Sequence, residues 1–354
     1  MTNTKDLYTS GPFVYSLREG RARIERVDGP AFSVTLPIEL DGHPVYDIAL
    51  TAFWMSGLRH LIIPDGFPMP CLVGLAPDLR TIMLPDHTPD GLPVFLHHCR
   101  RLEGFIVGEG NPKLKTIDGV LFSRDGKILY AFPCGREYDT YIVPDGVEVI
   151  GEGAFAGCTH LHRIILPEGL TEIGDNAFGG CESLEEVVEP DSLEIIGHDA
   201  YSACTLLDSF EITAGVHTIG SGALGDCGPI AEMHVDPDNP YFVIEDGILY
   251  DREKTRVLRA AGDITRATLP ETVREIDRCA FFGCESLEEV ILPKELQTIG
   301  TEAFRYCLNL RRIEIPKKTS FWTYEEGDYS TLFGADESWL EAQGLTYDIE
   351  VIRV

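Results

Sequence analysis

Residues 161–184 read Leu161-His162-Arg163-Ile164-Ile165-Leu166-Pro167-Glu168-Gly169-Leu170-Thr171-Glu172-Ile173-Gly174-Asp175-Asn176-Ala177-Phe178-Gly179-Gly180-Cys181-Glu182-Ser183-Leu184. At Leu184 the pattern starts again. Its landmarks Ile173-Gly174, Ala177, Phe178 and Cys181 stand one period earlier as Ile150-Gly151, Ala154, Phe155 and Cys158. They follow as Ile196, Ala200, Tyr201, Cys204 and as Ile219, Ala223, Leu224, Cys227. After a gap they return as Ile276, Ala280, Phe281, Cys284 and Ile299, Ala303, Phe304, Cys307. Self-similarity at a fixed period predicts a stacked solenoid, in which each unit buries its apolar side chains against its neighbours. Within one unit, Leu161-x-x-Ile164-x-Leu166 alternates as a half-buried strand does. Pro167 lacks a ladder donor and ends that strand. Leu170 to Ile173 is a second short extended stretch, and Ala177-Phe178-x-x-Cys181 has room for one helical or 3₁₀ turn.

Counting strands by their first apolar residue gives about twelve coils: Ala31, Leu58, Leu79, Leu102, Tyr138, Leu161, Leu184, Leu207, Ile230, Ile264, Leu287 and Leu310. The predicted organisation is an N-terminal cap over 1–30, a solenoid over 31–316 and a C-terminal cap over 317–354. Two insertions, about 108–134 and 236–260, resemble one another. Asn111-Pro112 precedes Asp118-Gly119-Val120-Leu121-Phe122, and Asn239-Pro240 precedes Asp246-Gly247-Ile248-Leu249-Tyr250. Apolar runs around a polar turn predict hairpins decorating one edge of the solenoid, as binding elements or as spacers. In the C-terminal region Trp322, Tyr324, Tyr329, Phe333 and Trp339 suit a cap over the last coil or an aromatic ligand platform. There a short helix is predicted from Asp336 to Gln343 and a final strand over Tyr347 to Ile352.

These residues resemble the BspA-like leucine-rich repeat family, whose unit runs Leu-x-x-Ile-x-Leu-Pro-x-x-Leu-x-x-Ile-Gly-x-x-Ala-Phe-x-x-Cys. Leu161, Ile164, Leu166, Pro167, Leu170, Ile173, Gly174, Ala177, Phe178 and Cys181 match it position by position. The resemblance implies an α/β leucine-rich-repeat solenoid of bacterial type, and, from its better-known members, attachment to proteins at a cell surface. One coil departs from the pattern: Glu189 takes the inward slot held elsewhere by Leu166 and Leu292. An unpaired buried carboxylate is costly, so Glu189 either finds a partner or the coil twists locally.

The chain carries 29 basic and 58 acidic residues, a formal net charge of −29. That field repels phosphate backbones and anionic lipid, which argues against nucleic acid as a partner and against membrane insertion. The first residues show no apolar secretion signal, so the expected compartment is the cytoplasm; the family resemblance gives a secreted or cell-surface location as the alternative. Seven of ten cysteines (Cys99, Cys158, Cys181, Cys204, Cys227, Cys284, Cys307) fill the repeat slot, while Cys71, Cys134 and Cys279 lie outside it. All are expected as free thiols, which suits a reducing compartment.

No nucleophile elbow, zincin or phosphate-loop motif occurs, and no cofactor is expected. Gly151-x-Gly153-x-x-Ala156 mimics a dinucleotide fingerprint without the long helix it needs. Cys158-x-His160-x-His162 and His97-His98-Cys99 lack a second ligand pair at metal-site spacing. The strand face is the stronger candidate. Its outward positions read Ile62, Met83, Ile106, Ile142, Ile165, Val188, Glu211, His234, Thr268, Ile291 and Glu314. Strand spacing predicts one column, apolar over its first six members, and such a stripe suits a protein or peptide partner. β-propensity at strand centres explains the same residues without a partner. Beside the column the charge is zoned, with Arg59, Arg80 and Arg163 early and Glu185, Glu186, Asp208, Glu211 and Glu232 after them. The leading expectation is a non-enzymatic interaction module; the alternatives are a self-assembling or adhesive scaffold and a cryptic hydrolase.

Overall fold

The computed structural model describes residues 6–29, 32–49, 51–54, 56–68, 76–87, 99–321 and 350–354. In the regular coils, neighbours are bonded along three lines. Arg163–Ile165 pairs in parallel with Glu186–Val188 on the strand face. Glu172–Ile173 pairs with Ile195–Ile196 in a second, narrower ladder. The closing turns form the third line, in which Phe155 N–H donates to Ala177 O and Phe178 N–H to Ala200 O, both at 2.7 Å. This last ladder corrects the α/β expectation. Among the described residues there is no helix: in the closing turn alternate N–H groups, such as Gly153, Phe155 and Gly157, go to the neighbouring coil, and the ones between, Ala154, Ala156 and Cys158, bond three residues back. The chain is a strand-and-turn solenoid.

The expected strands of the face are present from Ser33–Thr35 to Arg312–Ile315, and Glu350–Arg353 adds one more, in register with the last. Ala31, the aromatic cluster and the short helix expected near the C-terminus lie outside the described residues. Inside the coils, Phe132, Phe155, Phe178 and Tyr201 stack with ring centroids 5.1–5.2 Å apart. Phe281 and Phe304 repeat the stack at 5.1 Å. Fully buried Ile150, Ile173 and Ile196 line the opposite wall.

The two insertions are not edge decorations. In the first, Leu114–Ile117, Val120–Ser123 and Ile128–Ala131 form an antiparallel meander whose third strand runs parallel to Val149–Ile150. In the second, Phe242–Glu245, Ile248–Asp251 and Arg256–Ala260 do the same against Glu275–Ile276. The N-terminal region is a third copy: Leu7–Ser10, Phe13–Arg18 and Arg21–Val27, the last parallel to His43–Ile48. All three carry a register shift at the same place in the middle strand, at Val14/Tyr15, Leu121/Phe122 and Leu249/Tyr250. Val120, Leu121 and Phe122 are all buried, because the strand has core on both sides. Leu121 belongs to the core cluster that begins at Phe13, whereas Val120 and Phe122 belong to the next one. Likewise Leu249 faces the middle cluster, and Ile248 and Tyr250 face the last. The meanders are septa in the stack. The asparagine before each inserted septum is a buried clamp: Asn111 Nδ2 donates to Pro85 O, and Asn239 Nδ2 to Thr213 O and Val216 O.

Contraction of the coil at each septum has two chemical results. After Leu129 the closing turn is shortened, which brings Cys134 beneath Cys158, and the two form a disulfide with Cα atoms 4.5 Å apart. The expectation of free thiols throughout therefore fails for this pair and holds for Cys99, Cys181, Cys204, Cys227, Cys279, Cys284 and Cys307. Cys71 lies outside the described residues. At the second septum Arg259, 1% exposed, fills the space left by the missing turn and donates to Cys279 O, Cys227 O and Gly228 O.

Candidate interaction face

Strand pairing fixes which outward side chains stand side by side. Ile62, Met83 and Ile106 are in register, as are Ile142, Ile165 and Val188, and Glu211 with His234. Ile142 is 65% exposed; Met83 and Ile106 are also exposed, and Ile62, Ile165 and Val188 are half-buried. The expected single column of six is two rows of three. Between Ile106 and Ile142 no strand ladder runs, because the tip of the first septum intervenes and Gly119 O accepts from Phe105 N–H at 2.9 Å.

The basic side of the expected zoning is committed in place. Arg163 pairs with Glu186 across strands at 2.8 Å, Arg80 with Glu103, and Arg266 with Glu289 at 3.7 Å. Arg59 lies over the Phe32 ring. What remains unbalanced is acidic: Glu211 and Glu232 are exposed beside His234, whose imidazole is 3.9 Å from Glu232.

At this acidic stretch the strand face parts. Glu186–Val188 and Ser209–Ile212 belong to separate sheets, although the second ladder continues past them through Ile195–Ile196 and Thr218–Ile219. Glu189 sits at the parting. The Tyr201 hydroxyl donates to its Oε1, while its Oε2 is buried without a partner among the described residues. Both alternatives posed by the sequence are therefore realised, a partner and a local opening. Burial pushes the Glu189 carboxyl up to about 8, Glu211 adding to the rise and Tyr201 opposing it. A cavity of about 320 Å³ lies over it, with Val187, Leu207 and Phe210 among its walls. Sequence reading flagged Glu189 but not the cavity, which depends on how two distant strands pair.

Other candidate chemistry separates. Cys158 is in the disulfide, and His162 Nδ1 is 3.2 Å from Asp139, with no metal-ligand group around them among the described residues. His97 and His98 lie outside the described residues. Gly153 is a left-handed turn residue with no helix behind it. Asp226, Cys279 and Glu302 bring ligand atoms within 4.8 Å of one another and could hold a metal by distance. Arg278 already stands there, 2.9 Å from Asp226, and burial pushes the Cys279 thiol up to about 12, away from the thiolate a metal needs. No described helix is long and apolar enough to cross a membrane.

Among known proteins, the family model described as "BspA type leucine rich repeat region" matches residues 129–246 and 257–326, in six copies. No curated protein matches the sequence. Among solved structures, the chain is similar to a leucine-rich repeat protein from Eubacterium ventriosum, at 22% identity over 59% of this chain and 65% of that one, with a TM-score of 0.48. The chain thus spans just under two thirds of that protein's length. It is also similar to a leucine rich cell surface protein from Faecalibacterium prausnitzii, at 19% identity over 94% of this chain and 87% of that one, with a TM-score of 0.45. The pneumococcal vaccine antigen PcpA aligns over 100% of both chains at 15% identity, with a TM-score of 0.43. With its in-phase repeat, its three inter-coil ladders and a family model covering more than half its length, the chain belongs to the BspA-type leucine-rich repeat family.

Proposed function

We propose that this chain is a non-enzymatic interaction module that holds a protein or peptide against its strand face. The observation that carries the reading is the pair of in-register rows, Ile62-Met83-Ile106 and Ile142-Ile165-Val188, in which Met83, Ile106 and Ile142 are exposed and the other three half-buried. Covering such surface is favourable by about 25 cal/mol per Å². The cross-strand pairs Arg163–Glu186 and Arg80–Glu103 flank the rows and suit the polar rim of an interface. The acidic surface favours cationic or neutral partners over nucleic acid.

The test replaces Ile106, Ile142 and Ile165 together by serine. All three point outward, so the variant should keep the far-ultraviolet spectrum and melting temperature of the parent. Affinity capture from the organism's own lysate, with bound proteins identified by mass, should lose its specific partner. Capture of the same partner at the same yield by the triple variant would overturn the assignment to this face.

A further inference from the structure

We propose that the cleft at Glu189 is a pocket for one lysine side chain of the bound partner, its ammonium held by the Glu189 carboxylate and its methylenes by the apolar walls. The inference rests on the strand face being the binding surface. It stands on local geometry: between Glu186–Val188 and Ser209–Ile212 the face parts while the second ladder runs on, and a cavity opens over the gap. A cavity of about 320 Å³ is at the small end of ligand pockets. Val187, Leu207 and Phe210 offer the kind of surface that a lysine stem covers while its charged end reaches a polar group.

At the floor, Glu189 Oε2 is buried with no hydrogen-bond partner among the described residues, which is a standing cost to the empty protein. The nearby cation, Arg163, is already committed to Glu186. Exposed Glu211 and Glu232 line the mouth and attract positive charge. The choice of lysine over arginine follows from the acceptors. Tyr201 already donates to Oε1, so a guanidinium fork would have to share that oxygen to make its bidentate pair. A compact ammonium needs one. A metal ion would find too few ligands.

Binding is also tied to protonation. With burial pushing it up to about 8, Glu189 is protonated in the empty pocket at neutral pH, and an arriving ammonium displaces that proton. The other groups facing the cleft are Glu186, Glu211, Glu232, His234 and Tyr201. Tyr201 is pushed well above its ordinary value and stays protonated. Affinity for an ammonium therefore increases with pH from 6.5 to 8.5.

The experiment titrates the full chain, by calorimetry at about 0.15 M salt to screen diffuse attraction, with three capped tripeptides: acetyl-Ala-Lys-Ala-amide and its arginine and norleucine counterparts. The lysine peptide should bind at least tenfold more tightly than either of the others. Glu189→Gln should remove that tenfold preference, while Glu288→Gln, an exposed acid elsewhere on the face, should leave it. Equal binding of the three peptides, an unchanged preference in Glu189→Gln, or an equal loss in Glu288→Gln would overturn the proposal. Should Glu189→Gln unfold, Glu189→Leu restores the residue type of Leu166 in the equivalent slot; lysine preference retained by that folded variant would be equally fatal. Because the peptides report on the cleft alone, its failure is distinguishable from partner capture that survives the triple serine change.

Discussion

The free cysteines that close the regular coils supply a hydrogen bond as well as a volume. Cys181, Cys204, Cys227 and Cys307 send their thiols to Phe155 O, Phe178 O, Tyr201 O and Phe281 O at 3.1–3.2 Å. Ser56, in the same slot, bonds Phe53 O at 2.8 Å. Burial pushes the Cys181 thiol up to about 12, so it remains a protonated donor in the coil interior. Gly220 answers a different constraint: a Cβ there would lie 2.4 Å from the backbone nitrogen of His198. Glu189 is the residue that breaks the pattern, and its cost has a sign. Its carboxyl, ordinarily near 4.5, is pushed up to about 8 in the folded chain. Between those values the unfolded chain has lost the proton and the folded chain keeps it, so the unfolded state binds fewer protons and stability falls as pH rises. The slope from this one group is at most about 1.4 kcal/mol per pH unit. The double change Glu189→Leu with Tyr201→Phe removes both the carboxyl and the hydroxyl it satisfies. Urea melts of the two proteins from pH 5 to 8 should diverge steadily in favour of the variant. Parallel curves would place Glu189 in water rather than in the coil.

At the scale of elements, the septa explain what could and could not be read from the chain. The repeating unit was legible because each slot has one demand, met again at the same spacing: Ile173 for the second ladder, Gly174 for close approach, Cys181 for the Phe155 carbonyl. The two inserted hairpins were legible through Asp118-Gly119 and Asp246-Gly247, both at left-handed backbone angles. Their burial was signalled by Val120-Leu121-Phe122, an unbroken apolar run where an edge hairpin would alternate. Kinship of the N-terminal strands was hidden, since Val14-Tyr15-Ser16 matches Leu121-Phe122-Ser123 over too few residues to stand out. Of the candidate face, the outward apolar positions were legible, while the break between Ile106 and Ile142 and the cleft were not, because strand pairing across a coil is non-local. Arg259 was also invisible: in sequence it is one more surface charge, whereas in the fold it is the donor for three carbonyls around a missing turn. Arg259→Met should cost about 3 kcal/mol by urea melt, since buried acceptors would lose their donor. Arg259→Lys should recover little, because one ammonium cannot reproduce the planar fork. A loss below about 0.5 kcal/mol in Arg259→Met would show that the carbonyls are satisfied without it.

For the whole molecule, the septa decide how far one coil feels another. A plain solenoid has stability that sums over units and their nearest-neighbour contacts. Here the side chains form three clusters, and Leu121 and Phe122, adjacent in sequence, belong to different ones. Packing is thus divided while the second ladder remains continuous within each block, from Leu114–Ile117 to Thr218–Ile219 and from Phe242–Glu245 to Ser320–Phe321. Side-chain packing carries most of the unfolding cost, so a lesion in one cluster should stay there. Phe304 is fully buried and stacked on Phe281 in the last block, and Phe304→Ala removes about 3–5 kcal/mol of packing. Native-state hydrogen exchange can read the outcome amide by amide. The Gly300 amide bonded to Ile276 O and the Phe281 amide bonded to Ala303 O should exchange faster by a factor that reflects that loss. The Gly174 amide on Ile150 O and the Phe155 amide on Ala177 O, on the far side of the second septum, should keep their protection. If all four lost protection equally, the blocks would unfold as one and the septa would be transmitters of stability, not partitions.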